Sequence, residues 1–116
     1  MIELIGKVVH GKGVGKKLGF PTVNIHVDLS RLDLKKGVYA AEINLENKKY
    51  KAAAVVFEKN KSVELFIFEY KGSDIYGEKV VVEVFQKVSD VKRCESEEEL
   101  KKKIESDIKL IKRIFR

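Results

Sequence analysis

Six short apolar runs occupy most of the first 85 positions of the chain: IELIGKVVH, TVNIHV, GVYAAEINL, KKYKAAAVVFE, SVELFIFEY and EKVVVEVF. They are rich in Val, Ile, Phe and Tyr, and several alternate apolar and polar residues, the pattern of half-buried β-strands. Turn-forming stretches separate them: LSRLDLKKG, LENKK, EKNKS and YKGSDIYG. NLENKKY and FEKNKSV read as hairpin loops, so the strands on either side are expected to be antiparallel neighbours. Six strands at this spacing predict a closed or nearly closed barrel over about residues 1–88.

The period then changes. Leu100, Ile104, Ile108, Ile111 and Phe115 recur at steps of three and four, which predicts an amphipathic helix over about 96–114. Ser96 followed by Glu99 is a capping box, and Glu97–Glu99 place negative charge in the first turn, where the helix dipole favours it. The apolar stripe is expected to pack across the barrel. No internal repeat, low-complexity stretch or linker interrupts residues 1–116, so the chain reads as a single domain, all-β with one C-terminal helix.

Composition narrows the classes. At 116 residues, 44% hydrophobic and 36% charged, the chain has enough material for one core. No apolar run approaches the length of a membrane span, and MIELIGKVV lacks the parts of a signal peptide. A lone cysteine, Cys94, permits no internal disulfide, which fits a reducing, cytoplasmic setting. The net charge of +6 raises the question of nucleic acid. Many of the lysines, however, fall in the C-terminal segment among acidic residues, as on a solvated helix face. No arginine-rich run or interleaved aromatic-basic strand is present, so a nucleic-acid partner is not expected.

The unusual chemistry lies in GKGVGKKLGFPTVN, residues 11–24. Gly11, Gly13, Gly15 and Gly19 share this stretch with Lys12, Lys16 and Lys17. Bare backbone N–H groups and ammonium groups can together cradle phosphates. The Walker pattern is absent, since a strand follows where that motif enters a helix, and the loop in isolation also reads as a plain turn. Pro21 holds Phe20 extended, and Thr22 and Asn24 then lie two apart on one strand face. A hydroxyl and an amide oxygen side by side suit Mg²⁺, a hard cation that carries phosphates; equally, the two side chains can bond each other at a strand start.

The run from Gly6 to Asn24, G-x-V-x-x-G-x-x-x-G-K-x-L-G-F-P-T-x-N, resembles the opening of the riboflavin kinase family of the ATP-dependent bacterial and eukaryotic type. The resemblance continues through GVYAA, SVELFIFEYKGSDIYGEKVVVEVF and SEEELKKKIESDIK, in order and over nearly the whole chain. It implies a six-stranded antiparallel Greek-key barrel and transfer of the ATP γ-phosphate to the ribityl 5′-hydroxyl of riboflavin, giving FMN. It also implies roles residue by residue. Gly11, Gly13, Gly15, Lys16, Lys17, Gly19 and Thr22 would hold the nucleotide, Thr22 and Asn24 the Mg²⁺, and Gly37, Tyr39 and Tyr76 the flavin. Glu64 would be the catalytic base, although on the residues alone it is an outward-facing strand residue. The chain departs from the family at FEKNKSVE, which lacks a glycine and a Pro-Thr pair. It departs again at KVSDVKRCESEEE, with Val88 or Ser89 where an arginine is expected and Cys94 where a phenylalanine is. A monomeric enzyme of small-molecule substrates is expected. A flavin- or nucleotide-binding barrel without turnover and a basic nucleic-acid-binding barrel are the competing readings.

Overall fold

Burial alternates along the first strand: Leu4, Gly6 and Val8 are buried while Glu3, Ile5 and Lys7 face solvent. That period of two is what a strand with one wet face requires. The computed structural model describes residues 2–9, 22–27, 34–57, 62–70 and 75–115, and the structural statements here concern those residues. They form β1 (Ile2–Val9), β2 (Thr22–His26), β3 (Gly37–Leu45), β4 (Lys48–Val56), β5 (Ser62–Ile67), β6 (Lys79–Ser89) and α1 (Glu97–Ile114). The strands close into a barrel in the order β1-β2-β5-β4-β3-β6, every neighbouring pair antiparallel. Strands β3, β4 and β5 form a meander, and β6 returns beside β3, which is a Greek key. The six-stranded antiparallel barrel with one C-terminal helix agrees with the expectation from sequence.

The inward side chains make the main core, with Leu4, Ile25, Ile43, Leu65, Val82 and Val84 essentially inaccessible to water. Closure is tight where β1 crosses to β2. A Cβ at Gly6 would meet Ile25 Cγ2, and would lie 2.5 Å from the His26 carbonyl oxygen and 2.7 Å from Val27 Cγ1. Only a residue without a side chain fits there. The β3–β4 hairpin turns through Glu46 (φ 50°) and Asn47 (φ 66°), both left-handed, as a two-residue turn matching the strand twist requires.

A second core lies outside the barrel. Val38, Ala40, Ala53 and Phe66 point outward from β3, β4 and β5, and Ile104 and Ile111 of α1 pack on them. Ala40 and Ala53 are directly paired, so two small side chains form a shallow seat for the helix. The helix starts as its sequence indicates: the Ser96 side chain accepts from the Glu99 N–H at 3.1 Å. The return arm of the box shifts by one residue, Glu99 Oε2 accepting from the N–H of Glu95 rather than of Ser96. Among the described residues no helix is long and apolar enough to cross a membrane.

Two substitutions test this packing. Gly6→Ala should overpack the β1–β2 contact and lower stability by about 1–3 kcal/mol; thermal unfolding that leaves the midpoint unmoved would disprove the close approach. Ile111→Ala removes a fully buried side chain from the helix seat. Urea denaturation should show a loss of about 2–5 kcal/mol, and a value near zero would mean that the helix is not held by this face.

Candidate active site

Strand register assembles one outward face from four strands. Across β2 and β5, Thr22 stands opposite Phe66 and Asn24 opposite Glu64. Glu64 is in turn opposite Val55 of β4 and Phe66 opposite Ala53, while Val55 and Ala53 oppose Val38 and Ala40 of β3. Residues directly opposite in an antiparallel pair project to the same side, with Cβ atoms about 4.5–5.5 Å apart. Thr22, Asn24 and Glu64 are therefore neighbours on the same outer surface that carries the helix seat. All three are half-buried.

Helix α1 covers only part of this surface. Between it and the sheet lies a cavity of about 260 Å³. Its sheet side consists of Val38, Ala53, Val55, Phe57, Phe66 and the Glu64 side chain. Leu100, Lys103, Ile104 and Asp107 of the helix form the opposite wall, and Val91 and Lys92 close it from the β6–α1 connection. The lining is mostly apolar with a few charged groups, the usual make-up of a site for a flat organic ligand.

Those charged groups are ordered. Asp107 is 6% exposed and is the buried charged residue among those described. Its Oδ2 accepts from Lys103 Nζ at 2.6 Å and its Oδ1 from the Ser89 hydroxyl at 2.7 Å. Lys103 Nζ also donates to Ser89 Oγ at 2.9 Å, closing a triangle between the helix and the end of β6. At the rim, Lys92 bridges to Glu99 at 3.2 Å. The Glu99 carboxyl is held below its usual range, first by the Glu95 backbone N–H and then by Lys92.

Of the residues expected to act, the structure brings together Thr22, Asn24 and Glu64. It puts the three flavin candidates elsewhere. The Tyr39 side chain joins the barrel interior, and its hydroxyl donates to the Lys35 carbonyl at 2.6 Å. Its neighbour Val38 reaches the cavity instead, because adjacent strand residues face opposite ways. At Gly37, the Lys87 side chain occupies the space a Cβ would need. Tyr76 is 49% exposed, in a turn whose Gly77 N–H donates to the Val8 carbonyl at the end of β1. Gly11, Gly13, Gly15, Lys16, Lys17 and Gly19 lie outside the described residues.

Lys103, Asp107 and Ser89 were not anticipated. A signal was present: Asp107 lies three residues after Ile104 and four before Ile111, so a carboxylate interrupts the apolar stripe.

With this geometry in view, comparison with known proteins is informative. The family model described as riboflavin kinase matches residues 1–115. The bifunctional riboflavin kinase/FMN adenylyltransferase of Buchnera aphidicola subsp. Acyrthosiphon pisum (strain APS) is 31% identical over 99% of this chain and 39% of its own length. The RNA-binding riboflavin kinase RibR of Bacillus subtilis (strain 168) is 34% identical over 99% of this chain and 52% of its own. The chain thus spans about half or less of the length of these curated relatives. Among solved structures, riboflavin kinase from Trypanosoma brucei matches with a TM-score of 0.72 and 30% identity over 97% of this chain and 78% of that one. A Streptococcus pneumoniae protein described as a macrolide-efflux protein matches with a TM-score of 0.83 and 30% identity, covering 95% of this chain and 38% of that one. A family match over nearly every residue, together with the barrel, its helix and the face between them, means that the chain belongs to the riboflavin kinase family.

Proposed function

We propose that this chain transfers the γ-phosphate of ATP to the ribityl 5′-hydroxyl of riboflavin, giving FMN and ADP. The observation that carries this reading is Glu64 standing opposite Asn24, at the edge of an apolar cavity between barrel and helix. Glu64 accepts the proton of the attacking hydroxyl, which makes the oxygen a better nucleophile as its bond to phosphorus forms. The flavin ring lies against the apolar walls, with Val38, Val55 and Phe66 on one side and Leu100 and Ile104 on the other. Gly37 and Tyr39 serve that wall from behind, as supports of β3.

The metal that the family resemblance implies is Mg²⁺. Thr22 and Asn24 fit it by donor type, since a hydroxyl and an amide carbonyl are hard oxygen ligands and the ion takes its other ligands from phosphates and water. When bound, the ion neutralises charge on the transferring phosphoryl group. Gly11, Gly13, Gly15, Lys16, Lys17 and Gly19 would hold the nucleotide phosphates directly after β1, from which the chain returns into β2. Placing β2 beside β5 then brings the phosphate end of the site to the base.

The chain acts alone on small molecules in this reading. On the helix, exposed Lys101, Lys102 and Lys109 alternate with Glu97, Glu98 and Glu105, a mixed surface rather than a basic stripe. The exposed large apolar side chains among the described residues are Ile5, Tyr76 and Phe85, and Phe85 already packs edge-on against Phe115. RNA binding is part of the name of the Bacillus relative and is a property of that protein.

Incubation with riboflavin, ATP and Mg²⁺ should yield FMN, detected by chromatography. Glu64→Gln keeps shape and hydrogen-bonding reach but cannot take the proton, so FMN formation should fall by about 10²- to 10⁴-fold, with riboflavin affinity by fluorescence little changed. Wild-type protein that binds riboflavin and ATP but forms no FMN would replace the kinase by a binding barrel. Asn24→Ala should lower turnover and raise the Mg²⁺ concentration needed for half-maximal rate, with the melting temperature nearly unchanged. Loss of folding without loss of specific activity in the folded fraction would make Asn24 a structural residue instead.

A further inference from the structure

An ion pair with a buried carboxylate and a partly buried ammonium in the wall of an apolar cavity needs a reason. Two apolar side chains of similar size are often as stable or more so in such a place, because desolvating two charges offsets their attraction. Lys103 and Asp107 nevertheless share with Leu100 and Ile104 the helix face that lines the cavity. Their geometry is also specific. Asp107 is gripped at both oxygens, by Lys103 and by Ser89, and so is fully occupied in orienting its partners. Lys103 has three ammonium protons and donates to two described acceptors, Asp107 and Ser89. Among the described residues, that leaves one donor on a side chain that lines the cavity.

The other charged groups of the lining do not offer this. Glu64 is an acceptor on the sheet side, next to Asn24. Lys92 is largely exposed and turned to Glu99. The lining therefore contains one immobilised cationic donor, fixed on the helix across from the sheet that carries the base.

We propose that Lys103, held by Asp107 and Ser89, is a specificity-determining residue that donates to a carbonyl of the flavin's pyrimidinedione edge. This deepens the riboflavin reading and rests on it. The ring offers flat hydrocarbon to Val38, Phe66 and Ile104, but its dione edge carries carbonyl oxygens that lose water on entering the cavity. An apolar wall would leave them unpaired, at the cost that attends any buried acceptor. A cation fixed beforehand satisfies one of them without new ordering of the side chain. Asp107 and Ser89 are positioning residues: they touch Lys103, and through it set where the donor stands.

The test uses lumichrome as well as riboflavin. Lumichrome has the dione edge and lacks the ribityl chain, so it reports on the ring alone and needs no phosphate transfer. Lys103→Met by itself leaves the Asp107 carboxylate buried and unpaired and can compromise folding. The double variant Lys103→Met with Asp107→Leu removes both charges together and should fold. In it, lumichrome and riboflavin should both bind about 10- to 100-fold more weakly, the range for losing a hydrogen bond to a charged donor. The loss should appear in KM for riboflavin more than in kcat, and the visible absorption bands of the bound flavin should shift relative to wild type. Lys103→Arg, which keeps a cationic donor, should restore most of the affinity.

Unaltered lumichrome affinity and an unshifted flavin spectrum in the folded double variant would overturn the role of Lys103 while leaving the kinase reading intact. A wild type that forms no FMN would overturn the kinase reading, and the lumichrome measurement would still decide Lys103. Binding of neither riboflavin nor lumichrome by the wild type would end both.

Discussion

Ala40 and Ala53 stand opposite each other on the outer face of the barrel, and helix α1 rests beside them through Ile104 and Ile111. Small side chains at this one contact let the helix come down close to the sheet. Larger ones surround it, with Phe66, Val55 and Val38 on the strands and Leu100 on the helix. The space under the helix runs from the seat, where Ala53 and Ile104 are part of the cavity lining, out to Val55, Phe57 and Glu64. The cavity is a gap between this helix and the outer face of the sheet, and the capped first turn at Ser96 fixes the point where the helix begins.

Strand alternation separates stability from chemistry. The inward residues of β2 and β5, Ile25, Val63 and Leu65, close the barrel core, while Asn24 and Glu64 between them face outward. Neighbouring positions in sequence thus serve different ends. A change at Leu65 would be felt as a cavity in the core, whereas a change at Glu64 would alter the lining of the cavity under the helix. The same rule decides β3, where Tyr39 enters the core and Val38 lines the cavity under the helix. Register then determines which strands cooperate: Asn24 and Glu64 are forty residues apart along the chain and directly opposed in space.

The barrel and the helix were legible because each has a single strong period. In β1 and β6 the alternation is plain, and α1 carries its stripe and its cap in the sequence. The site was legible in part. Thr22 and Asn24 stand out as two hard oxygen donors on one strand face, whereas Glu64 is singled out by the family resemblance alone, since nothing local distinguishes it from any outward glutamate on a strand. For Tyr39, a segment can be assigned to a ligand from sequence without showing which of its residues face the cavity: here its side chain turns inward, while Val38 lines the cavity. Two register shifts between β3 and β6, at Val38/Tyr39 and Ala40/Ala41, compound the difficulty, because such bulges cannot be read from composition. The Lys103–Asp107 pair was overlooked for a related reason. On a helix rich in lysine and glutamate, an (i, i+4) pair looks like one more solvated contact, and only the packing of Ile104 and Ile111 on either side reveals that it is buried.

That burial couples the cavity under the helix to the end of the barrel. Ser89 closes β6, and its hydroxyl is bonded to both members of the pair on the helix. The connection that follows supplies Val91 and Lys92 to the cavity, and Lys92 returns to the helix through Glu99. The helix is thus tied to this connection at two levels, by a buried triangle near its middle and by an exposed bridge near its start. The two differ in strength for a physical reason. Lys92 and Glu99 are both open to solvent, where water and salt screen their attraction. Lys103 and Asp107 are shielded, so breaking either partner would strand a charge in an apolar wall. Loss of the rim bridge would therefore cost this wall of the cavity little, whereas loss of one partner of the shielded pair would cost it much more.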